Sequence, residues 1–208
     1  MEYIQEREEV AYFMKRLYTQ KLTTRSGGNI SFKINENTVL ITPSAIDKAR
    51  LEAKHIGIIL LDGANLTPDL KLSMETNLHL AIYRKRSDIS AIIHAHPTIA
   101  TSFTVLNRRI NTGLTAEARA VLGVPIFAPY ALMGTQDLAE IVSDASLDGN
   151  VVLMENHGVL TVGRSLLEAF DRIEVLEAAA KMSLITEILK DKHELSKEHL
   201  QQIDEMFS

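Results

Sequence analysis

The chain has no cysteine. That excludes disulfides and thiolate ligands, so any metal it holds must use nitrogen and oxygen donors. It has no excess of positive charge either. Its 22 lysines and arginines face 27 aspartates and glutamates, for a formal net charge of -5. A general nucleic-acid binder would show a basic patch instead. No apolar run approaches the ~18 residues needed to span a bilayer. The first stretch, Met1-Glu2-Tyr3-Ile4-Gln5-Glu6-Arg7, is acidic and lacks the apolar core of a signal peptide. A cytoplasmic protein with no nucleic-acid or membrane partner is the expectation. Internal repeats and low-complexity linkers are also missing. At 208 residues, 46% apolar and 24% charged, the chain reads as one domain over 1–208.

What is present centres on Ile92-Ile93-His94-Ala95-His96-Pro97. A β-branched apolar run predicts a strand, and a strand sends alternate side chains to one face. His94 and His96 therefore point the same way, as two ligands of one divalent metal would. A third histidine, His157, lies in Met154-Glu155-Asn156-His157-Gly158, just past the apolar run Val151-Val152-Leu153. Three neutral imidazoles with a fourth position open is how a catalytic zinc site is built. Taken alone, a pair of histidines two apart is also compatible with ordinary packed or surface residues.

Other segments bear on that centre. Val10, Phe13, Met14 and Leu17 recur at helical spacing and predict a helix near 5–19. Ser26-Gly27-Gly28-Asn29 then leads into a strand from Ile30 to Ile34. Two glycines there make either a plain turn or an anion-binding nest of backbone N–H groups. Asn35-Glu36-Asn37 reads as a hairpin turn before the strand Val39-Leu40-Ile41, which exits into Thr42-Pro43-Ser44-Ala45. Ile56 to Leu61 reads as another strand. Ser73 is the expected N-cap of the next helix, with Glu75 in its first turn and His79 as a helix neighbour of Glu75. An acid in the first turn either complements the helix dipole or serves as a base beside the metal. A helix is expected over 98–106. The segment 112–119 is polar and weakly periodic; if extended, it would put Thr115 and Glu117 on one face. Val124 to Tyr130 reads as a short strand interrupted by prolines, so an edge or a crossing segment. Thr135 is expected to cap a helix over 136–147, and Ser165 with Glu168 forms a capping box for the longest helix, to about Leu189. A charged tail with a last short helix from Ser196 follows.

Gly27-Gly28-Asn29, Ser73-Met74-Glu75, His94-Ala95-His96-Pro97 and Asn156-His157-Gly158, in that order and spacing, resemble the class II aldolase and adducin head family. Within it the chain looks most like the sugar-phosphate aldolases of L-fuculose-1-phosphate type, over roughly residues 5–190. The resemblance implies an α/β domain of the α+β type: a central, mostly antiparallel sheet with helices on both faces. It implies a homotetramer with active sites between neighbouring subunits and one divalent metal per subunit, usually zinc, with manganese or cobalt as alternatives. By position, His94, His96 and His157 would hold the metal. Glu75 would ligate the empty metal and then act as catalytic base. Gly28, Asn29, Ser44 and Ser73 would bind a substrate phosphate. The implied reaction is reversible cleavage of a (deoxy)ketose 1-phosphate to dihydroxyacetone phosphate and an aldehyde. The chain departs from the fuculose-type pattern at three places: Thr115 where a tyrosine donates a proton, Met74 where a second serine binds phosphate, and Ala45 where a glycine is usual. Glu117 falls near the catalytic glutamate of the family's methylthioribulose-1-phosphate dehydratases, and Tyr130 is a further candidate. Dehydratase, ribulose-phosphate 4-epimerase and an adducin-like scaffold are therefore the alternatives to an aldolase.

Overall fold

Adjacent residues of one strand show how the molecule is layered. In the strand Ala91–Ala95, Ile93 packs into one apolar cluster and Ile92 into another. The alternation of a β-strand sends them to opposite faces, and apolar side chains on both faces require cover on both. The computed structural model describes residues 2–207. In chain order the strands are β1 (Asn29–Lys33), β2 (Thr38–Ile41), β3 (Gly57–Leu60), β4 (Ala91–Ala95), β5 (Ile126–Ala128), β6 (Val151–Met154) and β7 (Gly158–Gly163). They form one sheet in the order β3-β2-β1-β4-β7-β6-β5. Every pairing is antiparallel except β5 with β6. The proline-flanked β5 lies at the edge, where a missing N–H does least harm.

The helices are α1 (Ile4–Thr19), α2 (Thr76–Lys85), α3 (Thr98–Leu106), α4 (Ala116–Leu122), α5 (Gln136–Ala145), α6 (Leu166–Leu189) and α7 (Lys197–Phe207). Residues of α1, α3, α4 and α6 meet Ile30, Leu40, Ile93, Leu153 and Val159 on one face. Those of α2 and α5 meet Val39, Ile41, Ile92, Val152 and Leu160 on the other. The α+β sheet covered on both faces is thus as the resemblance implied. Each fully buried Ile or Leu in these layers contributes roughly 1.5–3 kcal/mol.

Three local expectations need correction. The helix after Leu72 does not start from Ser73. It begins at Thr76 with Glu75 as the flanking residue, and the Ser73 hydroxyl accepts from the Glu75 N–H at 3.3 Å. Residues 112–119 are not extended: a short 3-10 turn, Thr112–Leu114, runs into α4. Thr115 caps α4, its hydroxyl accepting from the Ala118 N–H at 3.2 Å. A Thr-to-Ala118 cap satisfies one of the orphan donors at a helix start, which the weak apolar period of this short helix concealed. Glu168 reaches back past the capping residue Ser165, accepting from the Arg164 N–H at 2.7 Å.

Candidate metal centre

The sheet register assembles the site. β1 pairs with β4 so that Asn29 lies opposite His94. β4 pairs with β7 so that His94 lies opposite Leu160. The tight turn between β6 and β7 then brings His157 alongside, with Asn156 in the left-handed region at φ 52. Asparagine tolerates that conformation better than most residues. Gly158 follows because nothing larger fits: a Cβ there would stand 2.5 Å from Cδ2 of His96 and 2.8 Å from the Ala95 carbonyl oxygen. Gly28 has φ +67, and a Cβ on it would meet the His94 carbonyl oxygen at 2.7 Å. The two glycines of the motifs thus let backbone close around the histidine pair.

The imidazoles of His94, His96 and His157 converge. Ring centroids are 4.6 Å apart for His94 and His96, 4.8 Å for His94 and His157, and 5.8 Å for His96 and His157. One nitrogen from each ring lies within 4.8 Å of the others. The Nδ1–H of His94 donates to the Val159 carbonyl at 3.0 Å, which leaves the Nε2 lone pair facing the centre. Glu75 approaches from α2. Its Oε2 is 3.3 Å from His94 Nε2, and its Oε1 is 3.2 Å from His157 Nε2. Asn29 Nδ2 donates to Oε2 at 2.7 Å.

Electrostatics favour a cation here. Burial and the neighbouring imidazoles push His96 down to about 3, and burial lowers His157 as well. Both rings are therefore neutral near pH 7, as metal ligands must be. Burial pushes the Glu75 carboxyl upward, but His94, the Asn29 hydrogen bond, His157 and His79 outweigh it and hold the group ionised. His94 Nε2 and Glu75 Oε1 are buried with no hydrogen-bond partner. Leaving such atoms unsatisfied costs about 1–3 kcal/mol each. Lone pairs from imidazole and carboxylate turned toward one point fit a divalent metal, and the all-nitrogen triad with a carboxylate suits zinc among other borderline ions.

The centre opens on a cavity of about 540 Å³ whose lining includes Ser26, Gly28, Asn29, Ser44, Ser73 and Glu75. The four residues expected at a phosphate thus share a cavity with the histidines. Lys48, which sequence reasoning passed over, lines it too, as do Met74 and Met133. Nothing about a lone lysine between Asp47 and Ala49 marks it as inward-facing. Glu117 and Tyr130 do not line this cavity. Glu117 is exposed on α4, which packs with α6 and α7 across the sheet from α2. Tyr130 is 57% exposed, and its N–H donates to Glu155 at 2.9 Å. His79 is not one of the converging imidazoles: its Nδ1 lies 2.6 Å from the Ser31 hydroxyl, which also meets the Tyr83 hydroxyl at 2.9 Å. Burial lowers His79 to about 3, so it is neutral.

The family model for the class II aldolase and adducin N-terminal domain matches residues 8–184. The chain belongs to this class II aldolase and adducin family. The match ends within α6, so α7 lies beyond it. A relative in this family is the L-fuculose phosphate aldolase of Methanocaldococcus jannaschii, 37% identical over 176 residues, covering 85% of this chain and 94% of that one. Another is the 5-deoxy-D-ribulose 1-phosphate aldolase of Bacillus thuringiensis serovar kurstaki, 30% identical over 203 residues, covering 97% and 95%. A solved L-fuculose 1-phosphate aldolase superimposes with a TM-score of 0.92 at 32% identity, covering 100% of this chain and 98% of that one. The class II aldolase fold is therefore the fold of this chain.

Proposed function

We propose that this chain is a divalent-metal-dependent aldolase that reversibly cleaves a ketose 1-phosphate, deoxygenated at its far end, to dihydroxyacetone phosphate and an aldehyde. The carrying observation is the meeting of His94, His96, His157 and Glu75 in the wall of one cavity that also holds Gly28, Asn29, Ser44 and Ser73. Relatives named as aldolases of two different deoxyketose phosphates support the substrate class.

Held by the three imidazoles, a divalent cation, zinc by preference, would polarise the substrate carbonyl as a Lewis acid. The rest falls to the chain itself. Gly28, Asn29, Ser44 and Ser73 hold the phosphate, which fixes the carbonyl end of the sugar toward the histidines. Cleavage of the C3–C4 bond requires the C4 hydroxyl to lose its proton. The carbon that becomes nucleophilic must then be protonated in the forward direction and deprotonated in the reverse. Glu75 carries that proton, with Asn29 holding the carboxylate in place. Its ionised state suits the basic half of the cycle.

We take the active enzyme to be a homotetramer. Thr115 is committed to capping α4, so the proton donor for the C4 oxygen has to come from elsewhere, and Tyr130 of a neighbouring copy is our choice. Glu117 would likewise serve only a neighbour's site. A phosphorylated sugar is charged and does not cross a bilayer unaided, which supports a reaction in the cytoplasm. Dehydration of methylthioribulose 1-phosphate with Glu117 as base draws less support, because Glu117 stands outside the cavity of its own chain. An adducin-like scaffold has no use for a buried cluster of neutral imidazoles.

The test is incubation of the zinc-loaded protein with L-fuculose 1-phosphate and 5-deoxyribulose 1-phosphate, coupled to detection of dihydroxyacetone phosphate. Release of that product from either is expected. Glu75→Gln should keep the fold and lose about 10²–10⁴-fold in kcat, the range for a positioned general base. A diketone phosphate formed without C–C cleavage would replace the aldolase by a dehydratase.

A further inference from the structure

We propose that Lys48 is a binding residue for the substrate phosphate, supplying the full positive charge that the hydroxyls and backbone around it lack. The inference rests on the reading of this cavity as a ketose-phosphate site and names a recognition element within it.

Lys48 opens a short 3-10 turn, Lys48–Arg50, which Asp47 caps by accepting from the Ala49 N–H at 3.1 Å. Ala49 and Arg50 face solvent, whereas Lys48 is only 1% exposed and is among the largest fully buried side chains of the protein. A buried ammonium normally has a carboxylate partner, because desolvation of a lone charge costs several kcal/mol. Here, among the described residues, the Nζ has one acceptor, the Pro43 carbonyl at 3.3 Å. Glu75 lines the same cavity but is engaged by Asn29 and the histidines. An ammonium has three donors, so most of its hydrogen-bonding capacity is unspent. It is spent nowhere else because the side chain borders the cavity together with Ser26, Gly28, Asn29, Ser44 and Ser73.

A phosphate monoester dianion matches this wall. It brings acceptor oxygens for the free ammonium protons and a charge that offsets the desolvation of the lysine. Burial alone lowers Lys48 to about 8. A bound dianion would act the other way and keep the amine protonated. The segment Thr42-Pro43-Ser44 then has a double use, since Ser44 lines the cavity while the Pro43 carbonyl accepts from the Lys48 Nζ.

The experiment compares wild type, Lys48→Met and Lys48→Gln as metal-loaded protein. Glutamine can still donate to the Pro43 carbonyl but carries no charge. Binding of inorganic phosphate is measured by calorimetry, and KM and kcat are measured with the ketose phosphate. Both variants should bind phosphate about 10- to 100-fold more weakly, as expected for loss of a hydrogen bond to a charged group. KM should rise by a similar factor with kcat changed only a few-fold. Phosphate affinity of Lys48→Gln within about twofold of wild type, at an unchanged unfolding midpoint, would show a structural lysine and overturn the proposal. If wild type releases no dihydroxyacetone phosphate yet loses phosphate binding on Lys48→Gln, the aldolase reading fails and the phosphate contact stands.

Discussion

Ile93 and His94 are neighbours in β4 and live in different worlds. Ile93 faces the layer of α1, α3 and α6, an apolar cluster that includes Phe13, Phe170, Ile173 and Leu176. His94 faces α2, where the same strand face that carries Ile92 and Leu160 gives way to Asn29, Ser31, Glu75 and His79. Polar atoms without partners mark that second region: Asn29 Oδ1, Glu75 Oε1, His79 Nε2 and His94 Nε2. Unpartnered buried atoms occur on the first side too, at Arg7 Nε in α1 and Thr101 Oγ1 in α3, but singly; on the second they crowd together beside a cavity that Asn29, Glu75 and His94 line. Buried unsatisfied groups are rare in folded proteins, and where they cluster a ligand is the usual reason. The comparison teaches that the sheet separates the layer that secures the fold from the layer that meets the ligand, with the thickness of one β-strand between them.

The largest effect should follow an attack on the ligand face. His96→Ala removes one of three imidazoles, so metal affinity should fall by more than the roughly 10–100-fold that loss of an outer-shell partner causes. Turnover should disappear with it. Stability of the metal-free protein should change by no more than about 1 kcal/mol, because His96 is only half-buried, just past the end of β4. Metal content by mass spectrometry of the purified variant, set beside a denaturant melt, checks both halves. Stoichiometric metal in His96→Ala would remove this residue from the centre.

A cut on the closed face should do the reverse. Phe170 is 0% exposed, tilts against Phe13 at a centroid distance of 5.3 Å, and lies under the Arg16 guanidinium at 4.2 Å. Phe170→Ala should cost about 3–5 kcal/mol through lost burial and the cavity left behind. The fraction that stays folded should still bind one equivalent of metal. If it binds none, the two layers are coupled through β4 and their separation is false.

How far the sequence disclosed this division depends on which residues are asked. The apolar periods of α1, α3, α5 and α6 follow directly from burial of one stripe, and the strands from alternation or short apolar runs. In the histidine triad, His94 and His96 were legible from strand alternation, and His157, just past an apolar run, was tied to them by the motif order of the family the chain resembles. Glu75 was harder: a first-turn acid and a flanking acid look alike in sequence, and only the turn made by Ser73 and Thr76 turns its carboxylate toward His94 and His157. Lys48 was not legible at all, since a lysine is normally solvated and its burial depends on how the Pro43–Asp47 segment folds over the cavity. Helix α4 escaped because its short, alanine-rich sequence carries no strong period and its start is set by the cap at Thr115.

The smallest effect concerns Ala45, at the lip of the cavity beside Ser44. It is exposed and sits at φ 59, in the left-handed region that side chains avoid. An L-residue there costs roughly 1–2 kcal/mol through crowding of its Cβ with the following carbonyl. Glycine would remove the crowding but give the unfolded chain more freedom, a loss of about 0.5–1 kcal/mol. Being exposed, the methyl group gives up little packing when removed. The balance predicts that Ala45→Gly stabilises the protein by up to about 1 kcal/mol, a rise in the unfolding midpoint of roughly 2–4 °C for a chain of this size. Thermal melts followed by circular dichroism would detect it. A lower midpoint would mean that Ala45 holds the Ser44 turn in place, and the lip of the cavity would then belong with the closed face rather than the open one.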